Sequence, residues 1–398
     1  MVGNATALTV SGGATTAGTW AGNTFTVTSN VGNIDLTELQ TRLNSGGNVT
    51  INITGDVSIG AFAVNNTGTT VGTLNISGSG DITVGNIDLH GADGIPTNYT
   101  NPSDGSSGNR DNDAKHGHSL NITAGGNLTM TGVINTSGGT GMQSNAGGHF
   151  TLATRKGGDG GNAGNVTIKS GNTLTISSIT ANGGNGGSNQ GYQALTGAGG
   201  KAGNIKIEAE ENISTTGAIA ANAGNTGVAN TSETSNNALN GVPASQVGGI
   251  IQINSNNNAV SIGGTVSANG GNGTGQATND MLSTGPGINR NRASTDGGKG
   301  GRMAIASCGN LTIANAITAN GGNAGIPVGS PNGGSPSTTD NQAGAGGDGG
   351  SVSLSSSNGN VTITAPIAAN GANGANISNP GMNGEGCNSG GGTCYEAD

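Results

Sequence analysis

Apolar and polar positions alternate in short runs that return along the chain with the same neighbours. The unit is plainest at 309–325, GNLTIANAITANGGNAG, and stands again at 359–374 as GNVTITAPIAANGANG and at 171–187 as GNTLTISSITANGGNGG. Weaker copies are AVSIGGTVSANGG at 259–271, NISTTGAIAANAG at 212–224 and NLTMTGVINTSGG at 127–139. Each copy has a small or amide residue, a short alternating strand, a second apolar position further on, then an Asn-Gly corner. One copy cannot bury its own apolar face, whereas stacked copies can, which is the logic of a solenoid. Within a strand such as IKIE (205–208), Ile points to one side and charge to the other. The expected fold class is therefore all-β: a right-handed parallel β-helix, or β-solenoid, of about eight rungs.

The last strong position of the central strand gives the register: Ile59, Val84, Met130, Ile176, Thr215, Ile262, Ile313 and Ile363. Ile176, Ile262, Ile313 and Ile363 are expected to stack as one core column. At the corners, Asn182, Asn222, Asn269, Asn320 and Asn370 are placed to form a ladder, each side chain serving a neighbouring backbone group. The later steps carry inserts that leave after the corner and return just before the next first strand, so all of them emerge along one edge. They begin GGN and end in runs such as GAGGKAGN (197–204) and DGGKGG (296–301). A Gly-Gly-X period of three is that of the extended polyproline-II helix, and segments without side chains can pack together as a polyglycine layer.

Ahead of the stack, ALTV (7–10) and TFTVTS (24–29) read as strands within an N-terminal segment, 1–33, which is expected either to act as an assembly arm or to fold back as an extra rung. DLTELQTRLNSGG then reads as a helix. Asp35 and Glu38 have capping-box spacing, Leu36, Leu39 and Leu43 share a face, and Gly46 supplies the stop. The domains expected are thus 1–33, a capping helix at 34–47 over the first rung, the β-helix with inserts at 48–375, and a Gly-rich tail at 376–398. HFTL at 149–152 is an extra strand-like run inside an insert.

Composition narrows the chemistry. The chain has 398 residues, of which 82 are Gly, and only 8% are charged. One Trp, three Tyr and three Phe leave a narrow core of Ile, Val, Leu and Ala. The net charge of −9, without a basic cluster, argues against nucleic acid and anionic membrane. No stretch has the apolar length of a membrane-spanning helix, and 1–15 lacks the basic start and apolar run of a signal peptide. Cys387 and Cys394 flank NSGGGT in the tail and are expected to close as a disulfide, with Cys308 unpaired; such a pair suits an oxidising compartment.

No constellation suited to catalysis stands out, because strand faces carry Thr, Ser and Asn, and the chain is read as a non-enzyme. Glycine-rich phosphate loops lack the following Lys-Ser/Thr, and GGDGGNAGN (157–165) lacks the Asp of a calcium nonapeptide. No cofactor is expected; calcium at Asp111 and Asp113, or at Asp348, is a weak candidate beside ordinary solvated carboxylates. His90 opens an insert that His116 and His118 close, and a metal would need a third ligand there. His149 lies apart.

IDLTELQTRLNSGGNVTI at 34–51, with the GNVTI-type repeats after it, resembles secreted filamentous haemagglutinin-like adhesins, over roughly residues 34–375. That resemblance implies an exported, extracellular or cell-surface protein with a right-handed parallel β-helix. The chain departs from the pattern in its long Gly-rich inserts and in having no NPNG-type secretion motif. A weaker similarity links the inserts to the polyglycine layers of some phage tail-tip adhesins. The expectation is an extracellular structural protein, a subunit of a self-assembling filament, sheath or layer, joined head to tail as a homo-oligomer. The alternative is an adhesin whose loops, such as YQAL (192–195) and 233–246, bind a receptor or glycan.

Overall fold

The computed structural model describes residues 7–95, 97–98, 113–145, 157–188, 196–231, 245–274, 276–278, 292–293, 295–325, 341–342 and 344–374. Each repeat lays down three strands, as in Arg302–Ser307, Leu311–Ile313 and Ile317–Thr318. Equivalent strands of successive repeats pair in parallel, giving sheets of ten, ten and eight strands around one core. The fold is β-solenoid-like, with a single helix among the described residues.

Alternation explains the packing. In Ile205–Ala209 the burial alternates, with Ile205 and Ile207 inside and Lys206 and Glu208 outside. Registers align like with like: Ile207 pairs with Ile168 on one side and Ile253 on the other. In the central sheet Ile176 pairs with Thr215, Thr215 with Ile262, Ile262 with Ile313 and Ile313 with Ile363. Ile176, Ile262 and Ile313 are fully buried. Ile363 departs from the expected core column, being 44% exposed, because its strand is the outermost of the sheet and no further described strand covers it.

Residues 7–33 do not stand as a free arm. Leu8 pairs with Ile59 and Phe25 with Ile51, so the segment extends two of the sheets beyond the first repeat. The helix Leu36–Asn44 follows, packed against Asn48–Ile53, Ala7–Ser11 and Gly32–Asp35. Its expected capping box does not form. The Asp35 side chain accepts from Thr37 N at 3.0 Å, while Glu38 turns to Arg42 at 2.6 Å. Leu39, Leu43, Phe25 and Ile34 are fully buried and plug the first end of the core. Arg42 lies 4.2 Å over the Trp20 ring, which in turn sits 4.9 Å from Phe25. Gly46, at φ +81°, takes the left-handed turn that ends the helix.

The inserts leave and return through a second structure made mostly of glycine. Outgoing segments (138–141, 183–187, 222–227, 269–273, 320–325, 370–374) alternate with returning ones (157–164, 197–203, 245–249, 295–301, 344–350). Hydrogen bonds cross between the two layers: Gly161 N to Gly139 O at 2.9 Å, Gly184 N to Gly161 O at 2.9 Å, Gly200 N to Gly184 O at 2.7 Å and Gly224 N to Gly200 O at 3.0 Å. Bonds also run within a layer, as from Gly183 N to Asn222 O at 2.9 Å. Glycine is required here by close approach. A Cβ added at Gly184 would stand 1.7 Å from Gly139 O. Further out, short parallel pairs join Thr97–Asn98 to Ser144–Asn145, Ala229–Thr231 to Gln276–Thr278, and Arg292–Ala293 to Asn341–Gln342.

Candidate functional site

The corner asparagines form a ladder of one polarity. Asn182 Oδ1 accepts from Asn222 N at 2.8 Å, Asn222 Oδ1 from Asn269 N at 2.8 Å, Asn269 Oδ1 from Asn320 N at 2.8 Å, and Asn320 Oδ1 from Asn370 N at 2.9 Å. The acceptor always belongs to the earlier repeat. Sequence reasoning missed a second ladder three residues on. It runs through Asn185, Asn225, Asn272 and Asn323, with links of 2.9, 2.8 and 2.8 Å. The signal was present in the N-x-G-N spacing of 182–185, 222–225, 269–272 and 320–323, where the three-residue period had been read for glycine alone.

The ladders end at a face that no further strand covers among the described residues. Ser351–Ser356, Val361–Ile363 and Ile367–Ala368 are the outermost strands of the three sheets. Val361, Ile363 and Ile367 are 43%, 44% and 39% exposed, whereas their partners one repeat earlier, Leu311, Ile313 and Ile317, are fully buried. The first end is different. There Thr16 N and Ala17 N donate to Asn33 O at 2.8 and 3.1 Å, and the Thr16 and Thr15 hydroxyls accept from Asn33 N and Asp35 N. Those bonds cover the outer edge of Gly32–Asp35. Gly18–Ala21 and Phe62–Ala63 are the edge strands of the other two sheets.

His116 and His118 serve the backbone. His118 is fully buried; its Nδ1 accepts from Gly72 N at 2.9 Å, so the proton sits on Nε2, 2.9 Å from Asn44 Oδ1 at the helix end. Burial pushes its pKa down to about 4. His116 Nδ1 accepts from Asn162 N at 2.8 Å, and burial, with Lys115 beside it, lowers its pKa too. His90 is held above its usual range by its hydrogen bond to Asp88, at 2.7 Å. Asp113 Oδ1 accepts from Asp159 N at 2.7 Å. The ring lone pairs a metal would need at His116 and His118 are thus occupied, and among the described residues no three His, Cys, Asp or Glu side chains come together. Asp111, His149, HFTL, YQAL, most of 233–246 and the Cys387–Cys394 pair lie outside the described residues. Cys308 is a free thiol whose Sγ accepts from Asn358 Nδ2 at 3.1 Å.

One shallow dip marks the outer face of the sheet that holds Ile250–Ser255. Lys206, Gln252 and Ala304 align in one column, and Glu208, Asn254 and Ala306 in the next. The alanines interrupt two rows of longer side chains. Lys206 Nζ and Glu208 Oε1 pair at 2.8 Å, so the dip offers hydrogen bonds from a self-neutralised ion pair and two amides.

Comparisons with protein-family models, with curated proteins and with solved structures found no match. The haemagglutinin-like resemblance accordingly rests on the repeat pattern and the helix that precedes it.

Proposed function

We propose that the chain is an extracellular structural protein, a right-handed parallel β-helix of eight rungs edged by a polyglycine-II layer, and that copies assemble end to end into a filament, sheath or layer. The observation that carries this reading is the uncovered face at 351–374. Unpaired strand edges template further strands, and here they coincide with three exposed apolar residues. Residues 7–33 are already engaged in the sheets, so they do not supply the added strands. The head-to-tail contact instead sets the uncovered face against the edge strands Gly18–Ala21 and Phe62–Ala63 of the next copy. A contact between unlike ends gives a filament where the rotation between copies does not close into a ring, as for copies stacked along one solenoid axis.

The test combines light scattering and negative-stain microscopy of the full chain with an Ile363→Asp, Ile367→Lys double variant. The expected result is assembly of the full chain and its loss in a variant whose circular dichroism is unchanged. A full chain that stays monomeric at high concentration would overturn the reading, as would a variant that assembles equally well.

A second reading, an adhesin that binds a receptor or glycan through its inserts, is favoured by the short parallel pairs beyond the glycine layer. They show inserts from successive repeats aligned along one edge. Glycan-array binding that is lost when the insert at 97–112, which precedes the strand Ser119–Ala124, is exchanged for a glycine linker would favour it.

A further inference from the structure

The repeat places Asn before Gly many times, and Asn-Gly is the dipeptide most open to spontaneous cyclisation, because glycine leaves the attacking backbone nitrogen unhindered. Among the described residues the fold locks five of the eight such pairs. Gly183 N donates to Asn222 O at 2.9 Å while Asn182 Oδ1 accepts from Asn222 N. Gly186 N donates to Asn225 O at 2.8 Å, Gly270 N to Asn320 O at 2.9 Å, Gly273 N to Asn323 O at 2.7 Å and Gly321 N to Asn370 O at 2.9 Å. In each case the asparagine Oδ1 is also held by the next ladder nitrogen. The nucleophile and the electrophilic amide are therefore tied to the following repeat, and both ties must break before they can meet.

At the last described corner those ties end. Asn370 N still donates back to Asn320 Oδ1, but Asn370 Oδ1 and Gly371 N have no partner among the described residues. The same holds for Asn373 Oδ1 and Gly374 N. Space is free as well: a Cβ added at Gly371 meets nothing nearer than Gly347 O at 3.6 Å, whereas one at Gly321 would lie 1.9 Å from Gly347 O.

We propose that Asn370–Gly371, with Asn373–Gly374 beside it, is a site of spontaneous deamidation in the native protein, and that the ladder suppresses the same reaction at Asn182, Asn185, Asn269, Asn272 and Asn320. The Gly371 nitrogen attacks Cγ of Asn370. The new N–Cγ bond forms as the Cγ–Nδ2 bond breaks, and Nδ2 leaves as ammonia with the proton from the attacking nitrogen. Water then opens the cyclic imide at either carbonyl, giving aspartate or isoaspartate. The two products have different consequences for this end. Aspartate keeps a ladder acceptor, as Asp81 does for Asn127 N at 2.7 Å. Isoaspartate lengthens the main chain and shifts every later residue out of register.

The experiment follows the full chain in dilute, mildly alkaline solution over days, with acid-protease digestion and mass spectrometry of each Asn-Gly peptide. A denaturant-unfolded sample serves as reference for the intrinsic rates. The expected result is conversion at Asn370 and Asn373 at least about tenfold faster than at Asn269 and Asn320 in the native protein, with the difference gone in denaturant. Gly371→Val should silence Asn370 and leave Asn373 active. Native protection of Asn370 equal to that of Asn320, or equal rates at all corners in native protein, would overturn the proposal.

Discussion

The backbone N–H of Asn320 meets Oδ1 of Asn269 at 2.8 Å, and the backbone N–H of Gly270 returns a bond to Asn320 O at 2.9 Å. A corner amide thus does the work of a strand where the chain has left its sheet. Asn269→Ala removes the acceptor and strands a part-buried donor, which costs about 1–3 kcal/mol. Asn370→Ala removes an oxygen with no described receiver and should stay within about 0.5 kcal/mol. Because a stack of repeats opens locally, amide exchange at Asn320 is the sharper measurement. Equal exchange at Asn320 in wild type and Asn269→Ala would show that the ladder contributes nothing.

The glycine layer makes a contrasting prediction. Gly184→Ala forces a Cβ to 1.7 Å from the Gly139 carbonyl oxygen, and Gly139 is itself fixed by its bond to Lys115 O. Relief requires whole segments to move, so the loss should reach about 3 kcal/mol, the upper end for overpacking. Gly371→Ala meets only ordinary contacts and should be close to neutral. Thermal melts of the two variants check this; equal melting temperatures would mean that the layer yields freely.

What was legible in the sequence was whatever repeats. Ile262, Ile313 and their neighbours recur at fixed places, and the structure pairs them as equivalent residues. Features that occur once were read less well. Asp35 and Glu38 have box spacing, but Glu38 finds Arg42 one turn on, and Arg42 is drawn over Trp20, a contact from outside the helix. The docking of 7–33 was not readable either, because a strand's alternation does not say which edge it joins. The His118 contacts to Gly72 and Asn44 join residues far apart in sequence, and no local pattern announces them.

One member of the core column breaks the apolar rule. Thr215 is buried between Ile176 and Ile262 in register, and its hydroxyl finds no hydrogen-bond partner. Thr215→Val keeps the shape and removes the stranded hydroxyl, so it should stabilise by about 1 kcal/mol. In the same column Ile313→Asp buries a charge and should cost far more than Thr312→Asp, whose side chain lies on the other side of the strand. Ile363→Asp should cost less than Ile313→Asp, since Ile363 is part exposed. Melting temperatures of the set decide the register. Thr215→Val melting below wild type, or Ile313→Asp and Thr312→Asp melting together, would reject it.

His118 sets a pH window. Its folded pKa is about 4, below the ordinary value of 6.5, because burial disfavours the imidazolium. Between those values the unfolded chain holds a proton that the folded chain does not, so stability rises with pH there. The contribution is fully present above about 6.5, falls as pH drops towards 4, and amounts to about 3 kcal/mol. Protonation would also put a proton on Nδ1, where Gly72 N–H now donates, so the loss should appear first between the helix end at Asn44 and the strand Thr73–Gly78. His116, also lowered, adds in the same sense. His90, raised by Asp88, opposes it: its share is present below 6.5 and is lost as pH rises through its folded pKa. Amide exchange at Gly72 should therefore accelerate as pH falls from 6.5 to 4, after correction for the intrinsic rate, and His118→Gln should flatten that dependence. A variant that keeps the full slope would assign it to another group.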